Sequence, residues 1–167
     1  MGSGFVYLRP LNVAVVRAKG PYSTSAAQAW KKMFDWLYQS GVIQSVGTGY
    51  GLLLDDPRVV AADDCRYEAC IELAEDYRSK VPEDFAVRRL PGGAYARQRH
   101  IGGVSGLSQA ISKLRNDWVP TQGLVIDHRR PVIEIYLDNP NDVPLDKQRV
   151  DICMPVTVAD ELGRSAA

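Results

Sequence analysis

Hydrophobic and polar positions follow the same order in the two halves of this chain. Each half opens with a short strand, predicted at residues 12–17 and 94–100. Apolar runs ended by Asp and Pro predict a further strand in each half, at residues 50–54 and 132–137. A final alternating strand follows, and in the first half it begins at Arg66. The pattern therefore predicts a strand, a connecting segment and two more strands, written twice.

The connecting segments have the spacing of amphipathic helices. Gly41 and Gly123 lie where a glycine commonly follows the end of a helix, and Ser23 and Ser105 lie near the predicted beginnings. The apolar faces are formed by Ala26, Ala29, Trp30, Met33 and Leu37 in the first half, and by Leu107, Ala110, Ile111, Leu114 and Trp118 in the second.

Particular residues also recur, which indicates a duplicated unit. The segment Arg17–Ser23 aligns with Arg99–Ser105, and at the same offset Trp36 aligns with Trp118. After one inserted residue, Leu54–Pro57 aligns with Leu137–Pro140. We therefore predict an α+β fold, with tandem duplicated strand–helix–strand–strand modules, pseudo-two-fold symmetry and a central ligand groove.

The whole chain, residues 1–167, is predicted to form a single domain. The first module is expected at about residues 5–75 and the second at about 85–158. A polar linker at about 76–84 separates them, and we expect the tail at 159–167 to be frayed.

Composition narrows the classes of function. The chain has 20 Lys and Arg residues and 20 Asp and Glu residues, so it lacks the basic excess of a nucleic-acid-binding protein. No apolar run has the length of a membrane span. The three cysteines do not form a disulfide framework, and neither histidine lies at metal-ligand spacing. We therefore expect a cytoplasmic protein with no cofactor, no metal, no membrane association and no direct nucleic-acid binding.

Glu134 is the residue most indicative of chemistry, because it is the only charge in an apolar, strand-like run. Alternation places Glu134 and Tyr136 on one face of that strand. Its repeat partner is Gly51, so the two halves have diverged here. Two hypotheses remain open: a solvated outer strand face, or a partly desolvated carboxylate in an aromatic groove. In a groove it would pair with a cation or act as a general base.

Aromatic residues that could line such a groove occur in both halves. The candidates are Tyr22 before the first helix, Trp30 on that helix, Tyr95 on the second opening strand and Tyr136. Their ring faces would attract delocalised cations. Packing in the core is the simpler expectation for Trp30, whereas Tyr95 and Tyr136 fit either role.

Several longer motifs resemble those of the DNA gyrase inhibitor-like (GyrI-like) small-molecule-binding domain, from about residue 6 to residue 158. This domain also forms the effector-binding half of multidrug-sensing transcription regulators. The motifs are Gly20-Pro21-Tyr22-Ser23, Gly51-Leu52-Leu53-Leu54-Asp55-Asp56-Pro57, Cys65-Arg66-Tyr67-Glu68-Ala69-Cys70 and Glu134-Ile135-Tyr136-Leu137-Asp138-Asn139-Pro140.

The resemblance implies a groove that binds lipophilic, aromatic and often cationic small molecules, with Glu134 as its central carboxylate. The implied role is the sensing or sequestration of toxic compounds. The implied ligand-binding residues are Glu134, Tyr136, Tyr95, Tyr22, Trp30, Gly51 and Cys153, where Cys153 replaces an aromatic residue frequent in the family.

An alternative implied by stand-alone members is detoxification by a hydrolase that adds water to cyclopropanoid DNA-alkylating antibiotics. Glu134 would then be the general base, with Tyr95 and Tyr136 as proton donors or stacking walls. A third role, binding to gyrase or to a regulator protein, ranks last because no charged stripe marks such a surface. The repeat begins within the first ten residues, so we expect no helix-turn-helix ahead of it.

Overall fold

The computed structural model describes residues 2–158, apart from the side chain of Ser45. The predicted tail at 159–167 lies outside the described residues. The strands are β1 (Gly4–Leu8), β2 (Leu11–Lys19), β3 (Gly49–Leu53), β4 (Arg66–Glu72), β5 (Ala86–Leu90), β6 (Gly93–Ile101), β7 (Leu124–Ile126), β8 (Val132–Tyr136) and β9 (Arg149–Val158). The α-helices are α1 (Tyr22–Gln39), α2 (Leu107–Lys113) and α3 (Val119–Thr121), and a π-helical turn at Leu114–Trp118 joins α2 to α3.

The chain divides into two compact units. The first unit contains residues 10–91, and the second contains residues 2–9 together with 92–158. Each unit contains the predicted strand, helix and two later strands in chain order, together with strands that the repeat does not predict. The α+β class is confirmed, whereas the two-fold relation of the halves and the groove stay predictions.

The first unit is an antiparallel sheet with the strand order β3-β4-β2-β5. Helix α1 packs on one face of it, because its apolar residues repeat at helical spacing. Ala29, Met33 and Leu37 are buried there against Val16 and other residues of the sheet. Burial of this apolar face is the main stabilisation of the unit.

The second unit is an antiparallel sheet with the order β1-β6-β9-β8, and β7 also pairs with β9. Its helical segment covers residues 107–121, as the spacing predicts, but the π-helical turn interrupts it. Leu107, Ile111 and Leu114 are buried on this segment.

Three strands were not predicted: β1, β5 and β7. The first module is expected to begin at about residue 5, but β1 pairs with β6 and belongs to the second unit. The segment after residue 75, predicted as linker, begins as a 3₁₀ turn at Glu75–Lys80. β5 follows and pairs with β2 as part of the first unit.

Among residues 2–158, no helix is long and apolar enough to cross a lipid bilayer.

Candidate ligand-binding site

Strand register places Glu134 in a row of side chains across the second sheet. Glu134 pairs with Ile152 of β9, and Ile152 pairs with Gln98 of β6. Directly paired residues of antiparallel strands point to the same face, so the three side chains share one face. The Ser3 hydroxyl donates a hydrogen bond to Gln98 Oε1 at 3.0 Å and extends this row to the start of the chain.

The helical segment of the second unit lies on this same face. Phe5 pairs with Ala96, two residues from Gln98, and its ring centroid lies 5.3 Å from that of Trp118. His100, also two residues from Gln98, has Nε2 2.6 Å from the carbonyl oxygen of Ser105, just before α2. We call this the helix-bearing face of the second unit.

Glu134 is buried, with 6% of its surface exposed. The hypothesis of a solvated outer strand face is therefore wrong. The Tyr136 hydroxyl donates a hydrogen bond of 2.9 Å to Glu134 Oε2. Burial disfavours the charged carboxylate and raises the pKa of Glu134 from 4.5 to about 7, although the bond from Tyr136 acts in the opposite direction.

Other buried carboxylates of this chain have cationic partners. Glu68 pairs with Arg17 and Arg88, Asp127 with Arg129 and Arg130, and Asp151 with Arg99. Glu134 forms no salt bridge within residues 2–158, and its hydrogen bond comes from a neutral hydroxyl. An ion buried without a countercharge is costly, so Glu134 is the carboxylate that a bound cation would stabilise most.

The structure does not bring Tyr95 and Cys153 to Glu134, in contrast to the prediction. Both β6 and β8 pair with β9, and through β9 the register aligns Gln98 with Glu134. Tyr95 and Cys153 belong to the alternate positions of their strands and point to the opposite face. The sheet therefore separates these two side chains from the Glu134 carboxylate.

Tyr95 is instead part of a packed cluster on that opposite face. The Arg130 guanidinium carbon lies 4.9 Å from the centre of its ring. Burial raises the pKa of the Tyr95 hydroxyl, and the charge of Arg130 partly offsets this effect. Burial likewise raises the pKa of the Cys153 thiol to about 12, so the thiol stays protonated at neutral pH.

The predicted ligand-binding residues Tyr22, Trp30 and Gly51 lie in the first unit. The Tyr22 hydroxyl donates to the Asp55 carbonyl oxygen at 2.7 Å, and Trp30 Nε1 donates to the Tyr67 hydroxyl at 2.8 Å. Gly51 pairs with Ala69, on the face against which α1 packs. Their predicted place around the same ligand as Glu134 stays a prediction.

Comparisons with known proteins agree with the motifs. The sequence profile of the GyrI-like small molecule binding domain matches residues 1–157. The chain belongs to the GyrI-like family. This assignment covers both units and every candidate residue considered above.

Individual relatives of this GyrI-like chain are distant. A probable transcriptional regulator, YgiV of Escherichia coli K12, is 24% identical over 110 residues. The alignment covers 64% of this chain and 66% of YgiV, just under two thirds of that relative's length.

Solved structures share its fold. SAV2435, bound to tetraphenylphosphonium, has a TM-score of 0.61 at 18% identity, covering 96% of this chain and 97% of SAV2435. A hydrolase from Listeria innocua has a TM-score of 0.65 at 16% identity, with 93% of this chain and 91% of the hydrolase covered.

Sequence reasoning missed several residues of this GyrI-like domain that lie on the same face of the sheet as Glu134. Gln98 shares its row, and Phe5 and Trp118 meet on the same face. The alternation of β6 separates Gln98 from Tyr95, but only the register through β9 shows which of them shares a face with Glu134.

Proposed function

We propose that this chain binds lipophilic, aromatic cations at Glu134, for sensing or sequestration. The observation that carries the proposal is a buried carboxylate with no cationic partner within the described residues. A delocalised cation supplies the missing countercharge and loses little hydration energy when it enters an apolar site.

The position of Glu134 is suited to discriminate charge. Its pKa of about 7 means that a large part of the population is protonated at neutral pH when no ligand is bound. A cation favours the ionised form, whereas a neutral aromatic compound of similar shape gains nothing from it. Tyr136 donates to one carboxylate oxygen and orients the group.

Two relatives support this reading. SAV2435, whose structure shares the fold, was solved with tetraphenylphosphonium, a lipophilic aromatic cation. YgiV, which matches part of the chain, is named as a probable transcriptional regulator, and this agrees with a sensing role.

Titration with tetraphenylphosphonium tests the proposal, with triphenylphosphine oxide as a neutral aromatic probe. We expect Glu134→Gln to weaken binding of the cation by about 10- to 100-fold, since loss of a desolvated ionic partner costs roughly 1–3 kcal/mol. Binding of the neutral probe should change little. Glu83→Gln, the same substitution at an exposed site, is the matched control. Equal affinity of wild type and Glu134→Gln for the cation would contradict the proposal.

A second candidate function is hydrolysis of a cyclopropanoid compound. Its specific support is the pKa of Glu134 at about 7, which suits a general base at neutral pH, together with the shared fold of a Listeria innocua hydrolase. Glu134 would take a proton from water while the oxygen attacks a ring carbon and a cyclopropane C–C bond breaks. The electron pair of that bond moves into the conjugated system, which takes up the proton held by Glu134. The carboxylate is thereby regenerated, and one water has been added in all.

Mass spectrometry separates the two functions. The protein is incubated with a large excess of a cyclopropanoid alkylating compound, and the products are followed over time. Many equivalents of a product one water heavier, absent with Glu134→Gln, would show a hydrolase. Stoichiometric binding without product favours the receptor.

A further inference from the structure

The first unit contains a second feature, at the edge of its sheet and distinct from Glu134. It is a cavity of about 200 Å³, where β2 extends past the beginning of β5. β5 pairs with β2 as far as Val15↔Ala86, whereas β4 continues to Lys19↔Arg66. The cavity is lined by Val15, Val16, Arg17, Lys32, Glu68, Asp84, Ala86 and Arg88.

The charged side chains of this cavity do not balance. Lys32 pairs with Asp84 at 2.6 Å, which leaves one carboxylate for two guanidinium groups. That carboxylate, Glu68, is buried and accepts from both Arg17 and Arg88. The lining therefore carries one positive charge in excess.

Both arginines keep donors for a second acceptor. Glu68 receives Nε and Nη2 of Arg17 and Nη2 of Arg88. A guanidinium group has five N–H donors in a fixed plane, so Nη1 of each arginine and Nε of Arg88 are left without an acceptor among residues 2–158. Such groups are well suited to bind two oxygens of one anion.

The electrostatic environment also favours an added negative charge. Arg88 is partly buried, and burial together with the neighbouring charge of Arg17 lowers the pKa of its guanidinium. An anion between the two groups would reduce their repulsion and replace hydration that Arg88 has lost.

We propose that Arg17 and Arg88 form a site for a small oxyanion, a phosphate or carboxylate group, beside Glu68. Lys32 lies in the same cavity, where Asp84 balances its charge, so the excess positive charge belongs to the two arginines. A volume of about 200 Å³ holds such an anion with a few waters, since each water occupies roughly 30 Å³.

The test is a titration with inorganic phosphate and, separately, acetate, at constant ionic strength maintained with chloride. Nitrogen-detected NMR of arginine side chains reports binding at Arg17 and Arg88. We expect saturable shifts, and about tenfold weaker binding in Arg88→Gln. The stronger of the two probes identifies the anion class.

Arg89→Gln is the matched control, because it removes the same charge one position along β5, where the exposed side chain points to the other face. It should change affinity by less than about twofold, since exposed charges are screened. Glu68→Gln should strengthen binding, because it removes the negative charge that competes with the anion for both guanidinium groups. A purely structural arginine cluster would not show this gain.

Shifts that do not saturate, or equal losses in Arg88→Gln and Arg89→Gln, would overturn the proposal. Unfolding midpoints are measured for each variant, and Arg88→Lys gives a further comparison that keeps the charge but loses the planar donor pair. The outcome is independent of the tetraphenylphosphonium titration, so either site can fail without the other.

Discussion

Burial raises the pKa of Glu134, and the hydrogen bond from Tyr136 lowers it only in part. At Asp127 burial also raises the pKa, but hydrogen bonds from Arg129 and Arg130 outweigh it and lower the pKa to about 2. Glu134 is more strongly desolvated than Asp127, and its donor is a neutral hydroxyl, which stabilises a carboxylate less than a guanidinium does. Small changes in pH or in nearby charge close to neutral pH should therefore change the ionisation of Glu134.

This property predicts a pH dependence of stability. The folded protein holds a proton on Glu134 up to about pH 7, whereas the unfolded chain loses it near pH 4.5. Between these values the folded state binds more protons, so the free energy of unfolding falls as pH rises. We expect a contribution of up to roughly 3 kcal/mol, measured by urea unfolding from pH 4.5 to 8.

Glu134→Gln isolates this contribution. The variant cannot ionise at this position, so its free energy of unfolding should fall less than that of wild type over the same range. Asp127 and Asp138, whose pKa values are lowered to about 2, act at lower pH and in the opposite direction. Parallel curves for wild type and variant would contradict the assignment.

At the scale of elements, the end of α1 depends on Gly41. Gly41 follows Ser40, the residue that caps the C-terminal end of α1, and has φ of 70°, in the left-handed region. A Cβ placed on Gly41 would meet nothing within 4 Å. Gly41→Ala should therefore lower the free energy of unfolding by about 1 kcal/mol through backbone strain alone. Chemical denaturation measures the change.

Gly4→Ala is the matched control for Gly41→Ala. A Cβ at Gly4 also meets nothing within 4 Å, but its backbone is not in the left-handed region. Alanine there should be neutral or slightly stabilising, because glycine loses more conformational freedom on folding. A similar loss in both variants would show that strain at Gly41 is not the cause.

The sequence predicts best those elements in which the spacing of apolar residues repeats over many consecutive positions. Helix α1 and strand β4 lie where the spacing of their apolar residues predicts a helix and a strand. The alternation of β4 does not show, however, that Glu68 and Cys70 are buried as well as Tyr67 and Ala69. Strand β7 has three residues, too few to show a period, and β1 becomes a strand by pairing with distant β6. The prediction that Tyr95 lines the same groove as Glu134 depends on register across β9, which is not visible in either strand alone.

At the scale of the whole molecule, one unit is built from two separate stretches of the chain. Residues 2–9 precede the first unit in sequence but belong to the second, where β1 is the neighbour of β6. Such long-range pairing has a cost in chain entropy before its contacts are gained. Contacts that hold residues 2–9 in the second unit should therefore contribute to the free energy of unfolding.

The contact between Phe5 and Trp118 is one of these, since it joins β1 to the π-helical turn that contains Trp118. An aromatic pair contributes about 0.5–1.5 kcal/mol beyond the burial of its area. Phe5→Ala should lower the free energy of unfolding by about 1 kcal/mol and shift the tryptophan fluorescence, both measured in urea.

Tyr7→Ala provides the comparison for Phe5→Ala. Tyr7 lies two residues along the same strand on the same face, but it is 72% exposed, against 58% for Phe5. Its removal should cost less, because its ring is the more exposed of the two and takes no part in the pair between Phe5 and Trp118. Equal losses would mean that β1 is held by its backbone pairing with β6, and the ring contact would then have no specific role in joining the first residues of the chain to the second unit.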